Sequence, residues 1–126
     1  MKTTVKKVET TEKEVKKEMK DLGILWEHKA ESDVIYLSGN LSEELHYKKI
    51  LAFYNNSKKN EKEPDVRVYL LDDDGKKDHE IISLWRQVSK QGAEYYSGLT
   101  DEKENVVAFI NTSDDIKQPK IRIYFK

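Results

Sequence analysis

The chain has 126 residues, 23 basic and 24 acidic, with 37% hydrophobic and 37% charged residues and a formal charge of −1. Without cysteine there is no disulfide framework and no thiolate metal site, and without a run of about 18 apolar residues there is no membrane-spanning helix. The length predicts one cooperative domain with a thin core and a heavily charged surface, and an N-terminus lacking an apolar stretch predicts a cytoplasmic protein.

Residues 1–23 carry seven lysines against five acids. Thr11 and Glu14 have the spacing of a capping box, Val15, Met19 and Leu22 recur at helical spacing, and Gly23 is a natural stop. This predicts a short amphipathic helix of about ten residues, with a stripe too narrow for membrane insertion. Beyond it the apolar runs are short and separated by polar punctuation, which predicts strands at 24–29, 34–41, 49–55 and 65–71, then at 80–88, 93–99, 105–111 and 120–125. Alternation is clearest at Val66, Val68 and Leu70 against Arg67, Tyr69 and Leu71, and at Ile121, Ile123 and Phe125 against Arg122 and Tyr124. Gly39 and Gly98 mark a bulge or a close backbone approach, and Pro64 and Pro119 stand just before a strand, where a missing N–H does no harm. The run Asp72-Asp73-Asp74-Gly75 between apolar stretches reads as a hairpin turn joining strands four and five.

The strand pattern repeats. Leu25-Trp26, Tyr36, Ser38 and Gly39 recur 59 positions later as Leu84-Trp85, Tyr95, Ser97 and Gly98. Ala52-Phe53, Asn55 and Ser57 recur 56 positions later, and Pro64, Arg67 and Tyr69 recur 55 positions later. The offset shrinks only inside polar stretches, where loops shorten without disturbing packing. The expected architecture is therefore mainly β: two tandem four-stranded antiparallel meanders, 24–71 and 72–126, packed as an internal pseudo-dimer behind the N-terminal helix.

Signatures of chemistry are scarce. His28, His46 and His79 fall into no metal-binding spacing, and consecutive aspartates before Gly75 do not have the alternate spacing of a calcium loop. No glycine-rich phosphate loop and no nucleophile elbow occurs. The reading is of a protein that is not an enzyme and needs no cofactor or metal. The repeated Arg67, Tyr69, Arg122 and Tyr124, with Trp26 and Trp85 near them, are the candidate binding residues. Arginine beside stacked aromatics suits a protein-binding hot spot or a single-stranded nucleic-acid platform. The bland alternative is that these side chains hold the two copies together. Segment 24–71 has seven bases and eight acids, and segment 72–126 has nine and eleven. Phosphate binding draws on clustered Lys and Arg, so a protein partner is favoured over nucleic acid, with no membrane contact and a monomer or weak homodimer as the assembly.

Each copy resembles a family of small uncharacterised proteins of plasmids, phages and integrative elements with the pattern W…GxxYxSG…FxN…PDxRVY. Copy one supplies Trp26, Tyr36-Leu37-Ser38-Gly39, Phe53-Tyr54-Asn55 and Pro64-Asp65-Val66-Arg67-Val68-Tyr69. Copy two supplies Trp85, Gly92, Tyr95-Tyr96-Ser97-Gly98, Phe109-Ile110-Asn111 and Pro119-Lys120-Ile121-Arg122-Ile123-Tyr124. It departs at Asp33 and at Lys120, where the other copy has the pattern residue. The resemblance implies an accessory protein of a mobile element, one that acts by occupying a surface of a defence complex or by coating DNA.

Overall fold

The computed structural model describes residues 20–113, 115 and 117–126. Eight strands run in chain order: β1 (Lys20–Lys29), β2 (Ile35–Leu41), β3 (Lys49–Tyr54), β4 (Val66–Leu71), β5 (Lys77–Val88), β6 (Glu94–Thr100), β7 (Asn105–Ile110) and β8 (Ile121–Phe125). Each pairs antiparallel with the next, and β8 pairs with β1, so the sheet closes into an up-and-down barrel with no open edge. A short 3-10 turn, Glu43–Leu45, lies between β2 and β3.

The alternation seen in the sequence sorts residues between the inside and outside of this cylinder. Leu25, Leu37, Ile50, Val66, Val68, Leu84, Val106 and Ile121 point inward and are almost fully buried. Ala52 and Ala108 sit across from Val68 and Ile123, small beside large, as a narrow lumen requires. An eight-stranded barrel is just wide enough for side chains to fill it, and here aliphatic chains form its core.

The mainly β expectation holds, with a changed architecture. The two four-stranded stretches are not two sheets stacked on each other: β4 is hydrogen-bonded to β5 and β8 to β1, so they meet edge to edge in one closed sheet. Closure accounts for this, because stacked meanders would leave four strand edges unpaired while the barrel leaves none. The N-terminal helix expectation falls largely on residues 1–19, which lie outside the described residues. Its proposed end does not stay helical: Leu22 and Gly23 belong to β1, where Leu22 is buried and Gly23 lies across from Leu41 and Ile123.

The recurring residues occupy matching places in the register. Gly39 faces Leu25 as Gly98 faces Leu84. A methyl group on either glycine would stand 1.8 Å from a carbonyl oxygen, that of Ile24 or of Ser83. The pairing of β8 with β1 skips Leu22, and that of β4 with β5 skips Ile81, so the same bulge recurs 59 residues on. Asn55 donates through Nδ2 to the Pro64 carbonyl at 3.1 Å, and Asn111 to the Pro119 carbonyl at 3.2 Å. Each Asn also accepts, through Oδ1, the backbone N–H of Ser57 or Ser113. The buried prolines then leave Asp65 N to donate to Leu84 O and Lys120 N to donate to Leu25 O. Most of the repeated polar residues thus staple the two long loops, β3–β4 and β7–β8, onto the neighbouring strand.

Candidate functional site

The six residues singled out in the sequence all lie on the barrel's outer wall, but not together. Arg67 and Tyr69 are on β4, Arg122 and Tyr124 on β8. These strands are four apart in either direction around the closed sheet, so the two Arg–Tyr pairs are on opposite sides. The two pairs do not form one face, because a sheet that closes carries its outer rows around the cylinder.

The tryptophans join the pairs crosswise. Ser83 on β5 is across from Arg67, and Trp85 is two residues farther along the same face. Ile24 on β1 is across from Arg122, and Trp26 is two residues beyond it. Each tryptophan also pins a loop, since Trp85 Nε1 donates to the Lys62 carbonyl at 3.1 Å and Trp26 Nε1 to the Lys117 carbonyl at 3.2 Å. Two further aromatics complete the clusters. The Phe53 ring meets Tyr69 edge-on with centroids 6.2 Å apart, and Phe109 meets Tyr124 at 5.8 Å. Both phenylalanines recur in the sequence at the 56-residue spacing, a signal sufficient to have included them.

The two clusters differ in electrostatics. On β4, Arg67 Nη1 donates to Glu80 Oε1 at 2.9 Å, and Ser83 Oγ donates to the other Glu80 oxygen. Lys77 Nζ stands 4.5 Å from the Tyr69 ring centre and 5.3 Å from that of Phe53. That cluster is saturated by its own neighbours. On β8, the place of Glu80 is taken by Asp21, one methylene shorter, and that of Ser83 by Ile24. Arg122 is exposed and makes no ion pair among the described residues.

Beside Arg122 lies a groove of about 500 Å³ whose walls include Asp21, Ile24, Asn40, Glu43, Tyr47 and Tyr124. The matching place on the other side, bounded by Glu80, Ile82, Ser83, Leu99 and Thr100, measures only about 180 Å³. One sequence difference on the outer wall accompanies the contrast, whereas the exchange of Ile82 for Gly23 changes the buried lumen side. The β2–β3 connection is longer than β6–β7 and carries the 3-10 turn, followed by His46 and Tyr47 with φ of 60° and 51°. Left-handed backbone at a residue other than glycine costs on the order of 1 kcal/mol. It is held here by Asn40 Nδ2 donating to the Tyr47 carbonyl at 3.1 Å and by Tyr47 N donating to Ser42 O. The result is a Tyr47 side chain 60% exposed at the groove's edge.

Other titratable groups are dispersed. His28 is hydrogen-bonded to Ser38 and stacked on Tyr36, while His79 lies between Asp78 and Asp101. No group of three His, Asp or Glu among the described residues is placed to hold a metal ion. The Asp72 carboxylate accepts the N–H groups of Asp74 and Lys76, and Gly75 has φ 80°, the geometry of the predicted hairpin turn. At the barrel end opposite the groove, burial pushes the Tyr54 hydroxyl far above its ordinary pKa, helped by its 2.7 Å donation to Glu27. Burial, with the Asp65 charge second, raises that of Tyr96. Among the described residues no helix is long and apolar enough to cross a membrane. No family model, no curated protein and no solved structure matches the chain.

Proposed function

We propose that the chain is a non-catalytic binding protein that occupies a surface of a protein complex through the groove at Arg122. The observation that carries this reading is an exposed arginine set between Tyr47 and Tyr124 in a groove of about 500 Å³, with Trp26 farther along the same strand face as Ile24. Arg, Tyr and Trp are the residues that dominate binding hot spots, because they offer large, rigid, amphipathic contact area. The groove also holds Asp21 and Glu43. Mixed charge of this kind suits a partner protein surface and opposes a phosphate backbone, which requires clustered positive charge. The second barrel face gives no positive stripe either, since Glu80 neutralises Arg67.

Within the same reading, the two half-barrels are one strand unit written out twice, one copy kept as scaffold and the other opened into a groove. Masking a defence complex, as an inhibitor from a mobile element would, is the role the motif resemblance implies. The test is affinity capture from host lysate with three baits: wild type, Arg122→Ala/Tyr47→Ala, and Arg67→Ala. The expected outcome is one protein set enriched by wild type and by Arg67→Ala and lost with the double variant. Equal enrichment by all three, or low-salt binding of a single-stranded oligonucleotide that the double variant loses, overturns the proposal, the latter in favour of nucleic acid.

A further inference from the structure

One end of the barrel, where β1 begins, is built unlike the wall. Between Leu22, Leu45, Leu70, Ile81 and Phe125 lies a cavity of about 430 Å³. All but Leu22 are only partly buried against the core, so solvent reaches an apolar floor. Glu44 rims the cavity from the β2–β3 loop, and Asp101, Glu102 and Glu104 rim it from the β6–β7 loop. These loops are four strands apart around the sheet, so their carboxylates face each other across the floor. Among the described residues Lys48 is the one lysine or arginine in the lining, and Lys20 pairs with Glu44 at 2.7 Å.

The acidic loop is set in advance. Thr100 Oγ1 accepts the N–H groups of Glu102 and Glu104, Asp101 N donates to the Ile81 carbonyl, and the Asp101 carboxylate lies 3.6 Å from His79 Nε2. The carboxylates do not converge on a point as a metal site would. They are spread around an apolar patch, an arrangement complementary to a chain that carries positive charge on either side of an aliphatic side chain.

We infer that this mouth binds a lysine-bearing apolar segment of a partner protein. An aliphatic side chain rests on Leu70, Ile81 and Phe125, and lysines on either side meet Glu44 and the Glu102–Glu104 pair. This is a second surface. The 3-10 turn divides it from the groove, with Glu43 and Tyr47 facing one and Glu44, Leu45 and His46 the other.

The probe is a fluorescein-labelled peptide of alternating leucine and lysine, titrated by anisotropy into the full chain. Two control peptides replace every lysine by glutamate or every leucine by serine. The lysine–leucine peptide is expected to bind, with affinity falling as salt rises. The serine version should bind at least about tenfold more weakly, and the glutamate version not at all, because apolar contact and charge each contribute. Asp101→Asn/Glu102→Gln/Glu104→Gln should weaken binding about tenfold or more, and Glu44→Gln on the opposite loop should weaken it by a smaller factor. Arg122→Ala should leave it unchanged, so failure here is separable from failure of the groove. Equal binding of the glutamate peptide, indifference to both acidic variants in folded protein, or no binding by the full chain overturns the inference. No binding because the chain's own residues 1–19 fill the mouth counts among the overturning results.

Discussion

Replacing Gly39 or Gly98 by alanine tests the strand approach on which the barrel's curvature depends. The new Cβ would lie 1.8 Å from a backbone oxygen, whereas real contacts of this kind stay above 3.0 Å. The neighbouring strand must therefore retreat by roughly 1.2 Å. Backbone, not a flexible side-chain tip, must move, and the register at this point includes Leu25↔Gly39 or Leu84↔Gly98. Loss of one or two ladder hydrogen bonds costs about 1 kcal/mol each. Overpacking strain adds on the order of 1–3 kcal/mol, giving an expected loss of about 2–5 kcal/mol for either variant, a large part of a typical domain's roughly 5–15 kcal/mol. Gly92→Ala is the control. It has φ 86° but nothing within 4 Å of the new Cβ, so it carries only the left-handed backbone term, about 1 kcal/mol. Urea unfolding followed by the emission of Trp26 and Trp85 measures all three. At about 3–4 °C per kcal/mol for a chain of this size, the melting temperature of Gly39→Ala should fall by roughly 6–20 °C. A Gly39→Ala protein within about 1 kcal/mol of wild type, the ordinary outcome for alanine in a strand, would refute the reasoning. So would a large difference between Gly39→Ala and Gly98→Ala.

Asn55→Ala and Asn111→Ala should each cost about 1–2 kcal/mol, one partly buried and one exposed hydrogen bond apiece, and the two losses should be alike; urea midpoints check this. Tyr54 predicts an alkaline effect. Its pKa is raised in the folded state, so its contribution is complete below the unfolded value of about 10 and is lost as pH rises above it. Absorbance titration at 295 nm should show a fraction of the seven tyrosines ionising late, together with unfolding, and Tyr54→Phe should make the fall in stability above pH 10 shallower. Seven tyrosines titrating together near pH 10 in folded protein would contradict it.

Much of the fold was legible because half-buried strands announce themselves by period-two alternation, as Val66–Leu71 and Ile121–Phe125 do. Gly39 and Gly98 were legible as points of close approach, and Asp72–Gly75 as a turn, because in each case one residue type answers a local backbone demand. Closure was not legible. Whether β8 pairs with β1 depends on accumulated twist and stagger over all eight strands, which no local window holds. Leu22 misled for a related reason. Its spacing from Met19 and Val15 fits a helix, yet a bulge turns it inward to the barrel mouth, and tertiary burial overrides a three-residue pattern. The groove was hidden because it depends on the path of the β2–β3 loop through left-handed His46 and Tyr47 and on a methylene missing at Asp21, neither of which a hydrophobic pattern announces.

That contrast separates scaffold from site in a way neither half provides alone. Where the halves agree, in the glycine approach, the bulge, the Asn–Pro staple and the tryptophan that closes a loop, the shared residue meets a demand of the barrel itself. Such positions tolerate little change and say little about a partner. Where the halves differ, the barrel imposes no choice, since both versions close the same sheet. Glu80 against Asp21, and a short β6–β7 turn with one left-handed residue against a longer β2–β3 loop with two, both fall on one side of the wall, around Arg122. The other half closes with a shorter turn and one left-handed residue, Lys103, so barrel closure does not demand the longer β2–β3 loop with two. That loop stands beside Arg122, which makes no ion pair among the described residues. The difference locates the proposed binding at β8–β1–β2 and assigns the Arg67 side to support.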